Sequence, residues 1–246
     1  MLLDLFPDAL RYDEAVTWNA AAERVDASER LLYDDLVLEE SRAPRADPEK
    51  VAALLAGEAL ARGPRAFAPE GDLDRLVARL TFAAGHAPDA GLAPPAESDL
   101  ARALQDLCAG RRSFAELRDA DLPGALLARL DPRARPALER FAPERVTLPG
   151  GRTARIHYEA GKAPWVESRL QDFFGMAAGP SVAGGRVPLV LHLLAPNQRA
   201  VQVTTDLAGF WDRHYPSIRR ELMRRYPRHA WPDDPRTASP PAPRRR

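Results

Sequence analysis

The 246-residue sequence has one cysteine, Cys108, which excludes a disulfide framework and a zinc ribbon. It has only two lysines, Lys50 and Lys162, so arginine carries nearly all the positive charge. No apolar run approaches the roughly 20 residues that a membrane span needs. The opening Met1-Leu-Leu-Asp4 turns acidic too early for a signal peptide. These absences point to a soluble protein of the reducing cytoplasm with no membrane partner.

Catalytic patterns are missing as well. No Gly-x-x-x-x-Gly-Lys-Ser/Thr loop occurs, so Asp13-Glu14-Ala15-Val16, close to a magnesium-holding Asp-Glu-Ala-His box, reads as strand-edge polarity. Gly179-Pro-Ser181-Val-Ala183 approaches a nucleophile elbow, but Pro180 spoils the strand-to-helix turn that the elbow needs. His86, His157, His192, His214 and His229 show no metal spacing. The carboxylate pairs Asp34-Asp35, Glu39-Glu40 and Asp233-Asp234 are adjacent, which in a strand turns them to opposite faces. No catalytic residue, cofactor ligand or metal ligand is assigned.

What is present is divided by charge. Residues 1–140 hold 26 acids against 18 bases, a net of −8, whereas 141–246 hold 9 against 17, a net of +8. A basic half is the electrostatic footprint of a polyanion partner, although an arginine-rich composition can also be a solvated surface.

The periodicities predict an α+β chain: a partial, OB-like β segment over 1–45, a helical domain over 46–142, and an α+β domain with antiparallel hairpins over 143–235. A disordered basic tail is expected over 236–246. Val16 and Trp18 alternate with polar neighbours, Glu23–Val25 begins a second strand, and Leu31–Tyr33 with Leu36–Leu38 forms a third. Asp47-Pro48 opens a helix that Gly63-Pro64 ends. Asp72 and Ser98 open two more, and Ser113-Phe-Ala-Glu116 is a capping box. Shorter helices are expected at Leu126–Leu130 and Ala137–Phe141. Arg145–Leu148, Pro149-Gly-Gly151 and Thr153–Tyr158 read as a hairpin, and Pro164–Phe174 as a helix. An apolar strand at Val187–Leu194, a turn at Pro196-Asn-Gln198 and a cap at Asp206 lead to a helix over Tyr215–Tyr226.

In that last helix Tyr215, Ile218, Leu222 and Tyr226 share one face, flanked by Arg219, Arg220, Arg224 and Arg225. Arg213, Arg228 and Arg244–Arg246 extend the charge, giving ten arginines against four acids over 211–246. Guanidinium forks match phosphate oxygens, so the arginines are candidates for phosphate contact. Trp211 and Trp231 are candidates for base stacking. The competing reading packs both tryptophans into the core and leaves the arginines solvated.

Two stretches carry a family resemblance: Gly185-Arg-Val-Pro188 through Pro196-Asn-Gln198 to Phe210-Trp211, and Tyr215-Pro-Ser-Ile218 through the arginines to Trp231-Pro-Asp-Asp-Pro235. Together they resemble the C-terminal region of the bacterial HrpB-type ATP-dependent, DEAH-type helicases. Weaker likeness reaches Trp165–Gly175, Asp35–Glu40 and Leu5–Leu10. The resemblance implies an accessory part of an RNA-remodelling enzyme whose motor domains lie N-terminal to it. ATP and magnesium would bind those motor domains and not this chain, which is expected to be inactive alone. It reads as a split subunit, a truncated gene or a start that misses upstream coding sequence. The implied role is nucleic-acid guidance or docking on motor domains supplied by another chain. The alternatives are a free-standing nucleic-acid-binding module and a protein–protein adaptor.

Overall fold

The computed structural model describes residues 10–33, 35–42, 46–132 and 134–241. β1 (Leu10–Asn19), β2 (Arg24–Tyr33) and β3 (Leu36–Arg42) form an antiparallel meander in that order. Leu31–Tyr33 and Leu36–Leu38, expected on one strand, lie on two, because Tyr33 pairs with Leu36 and the chain reverses between them. All of the Leu5–Leu10 likeness but Leu10, the acid Asp34 and residues 43–45 lie outside the described residues.

Local capping places the helices that follow. α1 (Pro48–Arg62) starts where Asp47 accepts the Glu49 N–H at 2.9 Å, and stops at Gly63, whose φ of 92° suits glycine. α2 (Asp72–His86) starts at the expected aspartate. α3 (Glu97–Cys108) begins one residue before Ser98, because the Asp99 carboxylate accepts the Ala96 N–H at 2.9 Å. α4 (Phe114–Arg118) carries the expected reciprocal cap between Ser113 and Glu116. α5 (Leu122–Ala128) starts earlier than expected, capped by Asp121 on the Gly124 N–H.

The chain divides into two compact units. The first joins the described residues up to Leu73 with Pro95–Leu130, and the second joins Asp74–Pro94 with Asp131 onward, so the cut falls inside α2. In the first unit Leu55, Phe67, Leu100, Leu104, Phe114 and Leu117 are fully buried. Each such side chain contributes about 2 kcal/mol. The Phe114 ring lies 4.6 Å from Trp18 and 4.9 Å from Phe67. Cys108 is buried there, and burial pushes its thiol up to about 11, which leaves it an inert core residue.

The second unit contains α6 (Ala134–Phe141) and a five-stranded mixed sheet. β4 (Arg145–Thr147) and β5 (Thr153–His157) form the expected hairpin. β6 (Trp165–Arg169) corrects the helix expected over Pro164–Phe174, since only the 3-10 turn Leu170–Phe173 is helical. β6 sits between β5 and β9 (Val190–Leu194), antiparallel to the first and parallel to the second, and this pairing overrides the local propensity. A small hairpin, β7 (Ser181–Val182) and β8 (Val187–Pro188), lies in the glycine-rich connection. β10 (Ala200–Thr204) completes the order β10-β9-β6-β5-β4.

Ala154, Ile156, Val166, Ser168, Leu191 and Leu193 turn to the buried side of this sheet. α7 (Leu207–Arg213), capped by Asp206 on the Gly209 N–H, and α8 (Tyr215–Arg225) follow. Phe174, Phe210, Trp211 and Tyr215 form one buried aromatic cluster, with Trp211 and Tyr215 edge-to-face at 5.3 Å. Of the tail expected to be disordered, Arg236 bonds Asp212 and the Ala208 carbonyl. Arg244–Arg246 lie outside the described residues.

Candidate nucleic-acid interface

α8 carries the basic face anticipated from its amphipathic pattern. Tyr215 and Leu222 are buried, while Ile218 and Tyr226 are half-buried. The Tyr215 hydroxyl donates to the Pro232 carbonyl at 2.9 Å, and burial pushes the phenol up to about 12. This hydrogen bond holds the segment after α8 back against the helix.

The arginines separate into engaged and unengaged groups. Arg213 pairs with Asp206 at 2.7 Å. That contact and the helical Gly209 N–H hold the Asp206 carboxyl below the usual carboxylate range, the backbone bond being the larger cause. Arg219 donates to the Trp231 carbonyl at 2.8 Å and pairs with Asp233 at 2.7 Å, so it is a structural clamp. The Arg225 guanidinium lies 5.7 Å from the centre of the Tyr226 ring. Arg220 and Arg224 are exposed and line a shallow cleft with Ser217 and Met223. Arg228 is exposed at a second cleft beside His229 and Trp231. Among the described residues Arg220, Arg224 and Arg228 make no ion pair.

The two tryptophans take the packing positions of the competing reading and not those of a stacking pair. Trp211 is 3% exposed and its indole N–H donates to the Met176 carbonyl at 2.9 Å. Trp231 is 7% exposed and donates to the Tyr226 carbonyl at 3.1 Å. Both are packing residues that hold α7 and α8, so neither presents a ring face on which a base could stack. A large ring with one N–H is well suited to this position, because its single donor is satisfied inside the core.

A different aromatic group, unread in the sequence, stands on the outward side of the five-stranded sheet. His157 and Trp165 stack at 3.8 Å with 9° between their planes, and Trp165 stacks on His192 at 4.6 Å and 20°. The Trp165 N–H donates to Glu159 at 3.0 Å, which fixes the indole. Burial lowers the His157 pKa from its ordinary value; Glu167 opposes this and Arg155 adds to it. Reading Pro164–Phe174 as a helix hides the strand alternation that sets this ladder on one face.

The rejected chemical motifs have structural occupations. The Glu14 carboxylate accepts the Asp47 N–H ahead of α1. Ser181 is exposed on β7. Asp233 pairs with Arg219, Glu40 takes Ser28 and Arg30, and Asp35 takes Arg11. Among the described residues no cluster of His, Cys, Asp or Glu is arranged to hold a metal. No helix among them is long and apolar enough to cross a membrane.

Comparison with known proteins places this geometry in context. Residues 103–235 match the family described as ATP-dependent helicase C-terminal, HrpB_C. The chain is 30% identical over 243 residues to the Escherichia coli K12 protein named ATP-dependent RNA helicase HrpB, covering 97% of this chain and 30% of that protein. A crystal structure titled as the E. coli DExH-box NTPase HrpB superposes with a TM-score of 0.74 at 30% identity, over 97% of this chain and 30% of that one. A second, titled as the E. coli DEAH/RHA helicase HrpB, gives 0.65 at 28% identity, over 91% and 29%. This chain thus spans less than a third of the length of these relatives.

Proposed function

The chain belongs to the HrpB ATP-dependent helicase C-terminal family, and from that premise we propose that it is an accessory nucleic-acid-contacting part of such a helicase. The observation that carries this reading is the unpaired arginine edge of Arg220, Arg224 and Arg228, beside arginines already engaged by Asp206 and Asp233. A guanidinium without a carboxylate is available to a phosphate, and binding releases the counterions condensed on the strand.

ATP and magnesium do not fit the residues present. There is no phosphate-cradling loop in the sequence, and Glu14 of the box-like tetrapeptide is held by the Asp47 N–H. On this proposal, ATP-driven action lies in the part of the relatives outside the matched region.

Fluorescence anisotropy with labelled single-stranded RNA tests the reading. The parent chain is expected to bind at about 50 mM salt and to weaken steeply towards about 200 mM. Replacing Arg220, Arg224 and Arg228 together by alanine should weaken binding about tenfold and flatten the logarithmic salt slope by about 2. An unaltered salt slope in that variant removes α8 from the interface.

A second reading, docking on motor domains, is favoured by a different surface. Tyr12, Leu36 and Leu38 are 81%, 65% and 47% exposed on the three-stranded sheet, a concentration of apolar surface at one place. The proposed occupant is the helicase portion outside the matched third. A chain with Tyr12, Leu36 and Leu38 changed to serine should no longer co-purify with that portion of the E. coli relative. Equal recovery of parent and variant counts against docking through this patch.

A further inference from the structure

The β4–β5 hairpin places two like charges face to face. Arg145 and Arg155 are direct cross-strand partners, both exposed, and among the described residues neither has an acidic partner. Like charges directly opposite one another destabilise a strand pair, so this arrangement is costly unless an anion occupies it. The neighbouring strands carry the aromatic ladder on the same side. Ala154 and Ile156 point inward, which turns Arg155 and His157 outward, about 7 Å apart along β5. His157 is paired in register with Trp165, and His192 with Glu167 one strand further on.

From this juxtaposition we infer that the outward face of the five-stranded sheet is a binding site for single-stranded nucleic acid. A phosphate sits between Arg145 and Arg155, and a base stacks on the His157 end of the half-buried His157–Trp165–His192 ladder. The inference rests on the nucleic-acid reading above but assigns a separate site, because no residue of α8 takes part in it.

The geometry constrains how the strand lies. Trp165 has an imidazole against each face, so an incoming base adds to the end of the stack and not to the indole. His157 is the end nearer the arginines, and among the described residues no second ring lies against it. Glu167 is the one acid at an outward position of the β4, β5, β6, β9 and β10 strands. It repels phosphate, which keeps the backbone on the β4–β5 side. A duplex presents no free base face to the ladder, so the ligand is single-stranded.

The test uses the full chain, a fluorescein-labelled oligouridylate, the matching oligothymidylate, and a duplex of equal length. The parent should bind either single strand, with quenching of tryptophan emission that disappears in Trp165→Phe. Arg155→Glu creates an ion pair with Arg145, so its melting temperature should hold or rise while affinity for the single strands falls about tenfold. His157→Ala should also lose about tenfold, by removing one stacking surface. These two losses, with only weak duplex binding, support the sheet site.

The inference is overturned if Arg155→Glu binds as tightly as the parent, or if the duplex binds as well as the single strands. The α8 reading would survive either result if the alanine triple variant remained defective. Failure of the parent to bind any oligonucleotide at low salt would overturn both.

Discussion

Replacing Arg79 by methionine is expected to destabilise the second unit by about 3 kcal/mol, measured by urea unfolding. Arg79 is on α2 and only 4% exposed, yet it is charged. Its guanidinium donates to the Ala142 carbonyl at 2.7 Å, to Glu144 at 2.8 Å and to Glu139 at 2.6 Å. It therefore joins α2 to the end of α6 and to the residue before β4. Methionine fills much of the volume but leaves the carbonyl without its donor, and the charge-assisted bonds are lost. The two glutamates are each more than 60% exposed, so water resolvates them and the loss stays below that of a fully buried pair. By the same reasoning Glu139→Gln and Glu144→Gln should each cost less than about 1 kcal/mol. If Arg79→Met unfolds within about 0.5 kcal/mol of the parent, Arg79 is not the clamp described.

Asp172→Ala should be at least as damaging, at about 3 to 4 kcal/mol. Asp172 is 2% exposed in the 3-10 turn after β6. It accepts from the Ser168 hydroxyl at 2.6 Å and from the Arg169 N–H at 3.1 Å, and it pairs with Arg169 and Arg152 at 3.2 and 3.3 Å. Alanine would leave the buried hydroxyl and two guanidinium groups without that oxygen. Asn at the same position keeps an acceptor but not the charge, and should cost roughly half as much.

The effect reaches α8 through the adjacent Gln171. Its amide donates to the Ala230 carbonyl at 2.9 Å and its oxygen meets His229 at 3.1 Å. The same segment supplies the Trp231 carbonyl to Arg219. Tryptophan emission from Trp211 and Trp231 should therefore report the Asp172→Ala transition early. Unfolding coincident with the parent's denies Asp172 this role.

Both predictions concern side chains whose importance was not legible in the linear pattern. Arg79 stands between Ala78 and Leu80 of an amphipathic helix, where arginine ordinarily points to water. Only the acceptors at 139, 142 and 144, at least 60 residues away, make its burial favourable. The arginine-rich helix, by contrast, was legible as a helix, but its charges were not legible as ligand contacts. Arg213 and Arg219 find acids at 206 and 233, while among the described residues Arg220, Arg224 and Arg228 find none. Trp211 and Trp231 have the composition of a stacking pair and the environment of a core.

The sequence by itself determined what interactions within about four residues can decide. Asp47, Ser113 with Glu116, and Asp206 mark helix starts because a side-chain oxygen reaches an N–H two or three positions ahead. The Pro149-Gly-Gly151 turn closes its own hairpin, and the α8 periodicity announces a buried face. Tertiary structure alone decided that Trp165–Arg169 is a strand, since its partners stand at 156–157 and 190–194. It also decided the arrangement of His157, Trp165 and His192 into one stack and the exposure of Arg145 beside Arg155. Register between distant strands sets those neighbours, and no short-range preference of the chain encodes it.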